Sequence, residues 1–189
     1  MLELDDTRLV TVAGVALLMG LLALAIWHDI RARRIPNLVI VCGITVALLL
    51  HSFLPQGFGL VGRLPGGIGV YKAAGGFAIG LGLLLPLYAL RAAGGGDVKL
   101  MAMVGACTGP IDILGVTLMT FVAGSVLALA ITWRAGAAGV VANNVRGLAR
   151  AVLTKGTLVD THHDAALKIP YSIAIGLGTG LWLTLKYYG

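Results

Sequence analysis

Two aspartates stand where an apolar chain has little structural use for a charge. Asp29 ends one apolar run, within residues 28–31, and Asp97 follows three consecutive glycines, 94–96, just before another apolar run. Two carboxyl groups that share a proton can hydrolyse a peptide bond, because the ionised group activates water while the protonated group donates to the carbonyl oxygen. This chemistry requires the two side chains to meet.

The two stretches between these aspartates decide whether that is possible. Residues 37–54 and 71–90 are apolar, and each is long enough to cross a hydrocarbon core about 30 Å thick at about 1.5 Å per helical residue. Two crossings return a chain to the side from which it started. The sequence therefore predicts that Asp29 and Asp97 lie at the same membrane face, whatever the orientation of the protein.

The composition is that of a membrane protein. Of the 189 residues, 58% are hydrophobic and only 12% are charged, far from the balance of a soluble domain. The 28 glycines favour close helix packing in lipid, because small residues let backbones approach each other. We therefore predict an all-α fold: a polytopic membrane protein in which residues 1–189 form a single domain, a bundle of about six transmembrane helices.

Continuous apolar stretches define the six candidate helices. They cover residues 10–28, 37–54, 71–90, 98–108, 111–133 and 169–186. The fourth is short. It could be a half-span, or it could be continuous with its neighbours through the Gly109-Pro110 turn, since Gly-Pro is a strong break signal.

The basic residues indicate an orientation. With an external N-terminus, ten of the 14 lysines and arginines fall inside, which the positive-inside rule favours. Asp29 and Asp97 then face the cytoplasm. The basic residues are scattered and lack interleaved aromatic residues, so no nucleic-acid partner is expected.

The longest polar stretch, residues 134–168, carries apolar residues at helical spacing: Val141, Val145, Leu148 and Val152. This pattern predicts an amphipathic cytoplasmic helix. The segment could be a gate, a docking surface for an acidic or lipid-embedded partner, or an ordinary basic connector.

Each aspartate also has a purely structural interpretation. Asp29 could balance the arginines that follow it, and Asp97 could cap a helix N-terminus, because Asp accepts backbone N–H bonds. The glycines favour the functional interpretation. A plain cap needs no such run, whereas a flexible glycine loop permits positive φ and lets an extended peptide approach the carboxylate closely.

Other reactive side chains favour ordinary structural roles. Cys42 and Cys107 stand alone in predicted spans and are expected to be buried small apolar residues. His28 is expected to be a hydrogen-bonded helix end, and residues 162–164, which include two histidines, a solvated loop, so neither metal nor cofactor is predicted. Asp112 is expected to cap the fifth helix.

These motifs resemble the type IV prepilin peptidase family of membrane aspartic proteases. The two main matches are Asp29 through Ile35-Pro36-Asn37, and Gly94-Gly95-Gly96-Asp97-Val98-Lys99. A third stretch, residues 168–176, is similar to the Pro-[Phe/Tyr]-Gly segment that opens the family's last helix, except that Ser172 stands where the family has Gly. The resemblance covers about residues 27–178.

The resemblance implies roles for individual residues. Asp29 and Asp97 would form the catalytic pair, and further residues would contact substrate: Gly94, Gly95, Gly96, Lys99, Pro36, Asn37, Pro170 and Tyr171. Lys99 could also stabilise the ionised aspartate or the fold.

The resemblance also implies partners and a location. The substrates would be prepilin or pseudopilin proteins, whose leader is removed after a Gly at the cytoplasmic border of the bacterial inner membrane. Membrane lipid and the pilus assembly machinery would be further partners. The chain lacks the paired Cys-x-x-Cys motifs of longer, methylating members. This absence and the length of the chain both favour the short peptidase-only form that serves tight-adherence (Flp-type) pili.

Two other functions fit parts of the sequence. A small transporter could bind a proton or cation at intramembrane carboxylates, although such sites usually lie near the midplane, often between inverted repeats. A catalytically inactive scaffold for pilus assembly is the other alternative, and the intact motifs argue against it.

Overall fold

A computed structural model describes residues 2–54, 57, 66–90, 93–134 and 171–188, and this part of the chain is helical. Its six helices are α1 (Leu2–Ala32), α2 (Asn37–Phe53), α3 (Val70–Ala89), α4 (Gly95–Thr108), α5 (Asp112–Arg134) and α6 (Tyr171–Tyr188). No strand occurs among these residues. The predicted all-α fold is confirmed for these residues. The amphipathic helix predicted within 134–168 lies outside the described residues, except for Arg134.

Three helices are long and apolar enough to cross a membrane, over Val12–Ala32, Val70–Ala89 and Asp112–Arg134. Asn37–Phe53 is a shorter apolar helix. The chain is therefore a membrane protein, as its composition predicted, and the number of six crossings stays a prediction.

The first helix is longer than the sequence indicated. It ends at Ala32 and not at His28, so Asp29 lies inside its last turn. The helix stops at Arg33, which adopts a left-handed conformation with φ of 50° and donates its N–H to the Asp29 carbonyl at 2.8 Å. Pro36 then precedes α2 in an extended conformation, which it favours because its ring fixes φ.

Helix α4 is the most buried element. From Asp97 to Thr108 every residue except Lys99 is buried. Its 14 residues span only about 21 Å at about 1.5 Å per residue, less than a hydrocarbon core of about 30 Å. The helix ends at Thr108, Gly109 follows it with a φ of 91° that suits glycine, and Pro110 begins the turn into α5. The predicted break at this Gly-Pro pair is thus confirmed.

Glycines let α3 lie directly against α4. A side chain at Gly76 would collide with the backbone of Gly105, and one at Gly80 would meet the carbonyl oxygen of Met101. Close contact of this kind replaces hydrophobic driving force between helices in lipid. Helices α1, α2 and α6 also contact α4, so the short helix forms the centre of the described structure.

The chain divides into two compact units, residues 1–124 with 170–189, and residues 125–169. The first contains every residue proposed for the site. Of the second, the structure describes only the end of α5, through Arg134.

Two expectations about single residues were incomplete or wrong. Asp112 begins α5, but it also forms an ion pair with Lys186 at 2.5 Å and accepts a hydrogen bond from the Trp182 ring at 3.4 Å, so it ties α5 to α6. Cys107 is buried as predicted, whereas Cys42 is exposed. The buried residues of α2 repeat at helical spacing, and Cys42 falls on another face.

The packing of α3 on α4 predicts a large effect of side-chain size at Gly80. Gly80→Leu should lower the free energy of unfolding by about 1–3 kcal/mol, because the new side chain has no space against the α4 backbone. Gly82→Leu is the matched control on the same helix, since a side chain there meets nothing within 4 Å. Unfolding of the purified protein in mixed micelles measures both, and equal effects of the two substitutions would contradict the packing described here.

Candidate active site

Asp97 lies in the first turn of α4, where the helix N-terminus faces its carboxylate. Its Oδ2 accepts the backbone N–H of Gly94 at 3.1 Å, and its own N–H donates to the Gly94 carbonyl. The residue is only 9% exposed. The N-cap is therefore Gly94 and not Asp97, but the Asp97 side chain still accepts a backbone N–H at the helix N-terminus. This leaves a carboxyl group at the end of a buried helix.

The surroundings of Asp97 favour its protonated form. Asp97 lies outside the three candidate spans. Burial raises its pKa from the usual 3.8 to about 6, the hydrogen bond from Gly94 opposes this shift, and the negative charge of Asp29 adds to it. The last contribution means that the charge of Asp29 lies within electrostatic range of Asp97.

Asp29 is part-buried and is held by a residue far along the chain. The hydroxyl of Ser172, in the first turn of α6, donates to Oδ2 of Asp29 at 2.5 Å. Ser172 itself is fully buried. Three elements thus meet at this point: the last turn of α1 and the first turns of α4 and α6.

The glycine run is not the flexible loop that the sequence suggested. Gly95 and Gly96 belong to α4, Gly94 precedes it with φ of −79°, and none of the three has positive φ. These glycines matter because they have no side chain to fill the space around them. A side chain at Gly94 would lie 3.0 Å from Oδ2 of Asp97, one at Gly95 would contact Tyr88, and one at Gly96 would contact Ile35.

Lys99 lies on the exposed side of the same helix turn. Its Nζ donates to Oδ1 of Asn37 at 3.1 Å, which links α4 to the start of α2 just after Pro36. Since Lys99 and Asn37 are both exposed, this pair is available to a substrate at the surface.

The third motif is partly described. Tyr171 begins α6, is half-buried, and lies close enough to Asp97 to interact with its charge. Pro170 and the histidines at 162 and 163 lie outside the described residues. Within those that are described, no group of three or more His, Cys, Asp or Glu side chains could hold a metal ion.

Sequence reasoning missed one member of this cluster. In the sequence, Ser172 stands out only because the family has glycine at this position. Ser172 and Asp29 are 143 positions apart, so the sequence gives no reason to pair them. The available signal was the side chain itself: a hydroxyl beside Tyr171 in a motif expected at the site.

The comparisons with known proteins agree with the motifs. A family model, the type IV leader peptidase family, matches residues 16–129, which is more than half of the chain. No curated protein and no solved structure gives a significant match. The chain belongs to the type IV leader peptidase family, and the family implies a protease.

The raised pKa of Asp97 can be measured directly. In carboxyl-carbon NMR of protein with isotope-labelled aspartate, the resonance that disappears in Asp97→Asn should titrate with a midpoint near pH 6, because burial disfavours the ionised form. Asp29→Asn should lower this midpoint, since it removes a neighbouring negative charge. A midpoint close to 3.8 would contradict the burial of Asp97, and a midpoint that Asp29→Asn does not change would contradict the proximity of the two groups.

Proposed function

We propose that this protein is an aspartic endopeptidase in which Asp29 and Asp97 act as one catalytic pair, cleaving the leader of type IV prepilin-like substrates. One observation carries the proposal: the two aspartates lie close enough to interact electrostatically, inside a segment that matches a leader peptidase family. The pair needs no metal or cofactor, because two carboxyl groups holding one proton supply both an acid and a base.

The proposed reaction follows from that shared proton. The ionised carboxylate takes a proton from water as the water oxygen attacks the scissile carbonyl carbon, and the protonated carboxyl donates to the carbonyl oxygen. The resulting diol collapses as one of its hydroxyls returns a proton to the deprotonated carboxylate, the C–N bond breaks, and the leaving amine takes the proton that the other carboxyl group received from water. Each product therefore leaves with its atoms balanced and the pair returns to its starting state.

Two features support access of a peptide to this pair. Gly94 is exposed and has no side chain beside the Asp97 carboxylate, so an extended backbone can approach there. Tyr171 interacts with the charge of Asp97, and the exposed Lys99–Asn37 pair begins two positions after Asp97 on α4; both are proposed to contact substrate. The residues from 94 to 97 would then act together, the glycines by leaving space and Asp97 by chemistry.

The substrate class is proposed to be prepilin or pseudopilin proteins of the Flp type, cut at the cytoplasmic border of the bacterial inner membrane. The exposed basic residues near Asp29 support this orientation, because Arg31, Arg33 and Arg34 follow it directly and basic residues concentrate on the cytoplasmic side. At the other end of α6, Lys186 is neutralised by Asp112 and bears less on orientation.

Replacing either aspartate should remove activity. Asp29→Asn and Asp97→Asn preserve shape but not the titrating group, so each should lower the rate of leader cleavage by roughly 10²–10⁴-fold. The double variant should be scarcely slower than either single variant, because the two groups act as a unit. The measurement is processing of a co-expressed Flp-type prepilin, normalised to the amount of enzyme in the membrane.

Asp112→Asn is the matched control. It also removes a part-buried carboxylate, and losing the ion pair with Lys186 should reduce stability while leaving cleavage per folded molecule near the wild-type rate. Substantial cleavage by a well-expressed Asp29→Asn or Asp97→Asn protein would falsify the proposal.

The proposed orientation predicts a labelling pattern. In a background with both cysteines changed to Ala, Arg34→Cys and Gly94→Cys should react with an impermeant thiol reagent only after cells are opened. Tyr71→Cys, at the exposed start of α3, should react in intact spheroplasts. If the cysteines at 34 and 94 labelled from opposite sides, the two aspartates could not share a site.

A further inference from the structure

Ser172 is a buried polar residue whose only described side-chain partner is Asp29. Its hydroxyl lies 2.5 Å from Oδ2 of that residue and its surface is fully covered. This distance is typical of a hydroxyl that donates to an ionised carboxylate. Ser172 lies in helix α6, where the backbone conformation does not require glycine. The serine at this position therefore adds a hydroxyl group without straining the backbone.

We infer that the Ser172 hydroxyl is a positioning group that holds Asp29 as the ionised member of the pair. The inference rests on the proposed peptidase function and gives each of the two catalytic carboxyl groups a separate role, one ionised and one protonated. Asp29 receives the hydroxyl hydrogen bond at 2.5 Å, whereas Asp97 receives one backbone N–H at 3.1 Å from Gly94 and is more deeply buried. Donation to a carboxylate favours its charged form, and burial favours the neutral form.

This asymmetry assigns each step of the reaction. Asp29 takes the proton from the attacking water while Asp97 gives its proton to the carbonyl oxygen. When the diol collapses, Asp97 recovers a proton from a diol hydroxyl and Asp29 passes its proton to the leaving amine. Ser172 donates throughout and exchanges no proton, so it acts on the reaction through the orientation and charge of Asp29.

Other ionisable groups face the same point and set the background of any pH effect. Asp97 faces Asp29 from α4, and Tyr171 interacts with Asp97 from α6. His28 and Arg31 flank Asp29 on α1 itself. The Ser172→Ala substitution leaves the identity of each of these groups unchanged, so we attribute a shift of the pH profile in that variant to the lost hydroxyl.

The first test is spectroscopic and needs no substrate. In infrared spectra of purified protein, the carboxylate band that disappears in Asp29→Asn should change frequency in Ser172→Ala, because a donor to that carboxylate is lost. Thr179→Val is the matched control. It removes another fully buried hydroxyl of α6, one that donates to the Ile175 carbonyl at 2.7 Å, and should leave the band unchanged.

The second test uses leader cleavage. Ser172→Ala should lower kcat by about tenfold with KM nearly unchanged, the expected cost of losing a hydrogen bond to a charged group. The acidic limb of its pH–rate profile should move to higher pH, since ionisation of the pair becomes less favourable. Ser172→Thr retains the hydroxyl and should restore the limb toward its wild-type position, provided the protein accumulates.

The outcomes separate the two proposals. An unchanged carboxylate band in Ser172→Ala would overturn the role of Ser172, whether or not the wild-type protein cleaves prepilin. A shifted band with no cleavage by wild-type protein would overturn the peptidase function and leave the hydrogen bond standing. Active protein whose Ser172→Ala variant has an unshifted pH profile would also overturn the positioning role.

Discussion

The burial of α4 is the constraint on which the rest of the structure depends. This helix is too short to cross a membrane alone, and its buried residues run from Asp97 to Thr108 with one exception. A carboxyl group at the end of such a helix loses hydration, which costs free energy unless backbone donors replace the water. The Gly94 N–H and the helix N-terminus provide that replacement in part, and the remaining penalty favours a proton on Asp97.

The other helices are arranged so that a second carboxyl group reaches this point from outside the buried core. Helix α1 extends past its apolar stretch to carry Asp29, and the turn after Arg33 leads directly into α2. Helix α6 begins beside both aspartates with Tyr171 and Ser172. At the opposite end of α6, the ion pair between Asp112 and Lys186 joins α6 to α5. Polar contacts therefore hold α6 near both of its ends.

Much of this could be predicted from the sequence because the signals are local. Pro36 and the Gly109-Pro110 pair mark helix boundaries by removing backbone donors or fixing φ. The count of two crossings between Asp29 and Asp97 predicts that they lie at one membrane face, and this stays a prediction. The contacts that complete the site are not local. Ser172 and Asp29 are 143 positions apart, and Lys186 and Asp112 are 74 apart. Helical periodicity says which face is apolar, but it does not say which helix a single hydroxyl or ammonium group will meet.

Chemical cross-linking can show whether Asp29 and Asp97 lie side by side. In protein lacking Cys42 and Cys107, a pair of cysteines at 29 and 97 should be joined by a short bifunctional thiol reagent in the native membrane. Cysteines at 97 and 112, at opposite ends of α4, should each react without being joined. If the cysteines at 29 and 97 both react with a monofunctional reagent but are never cross-linked, the two carboxyl groups do not meet and cannot act as one catalytic pair.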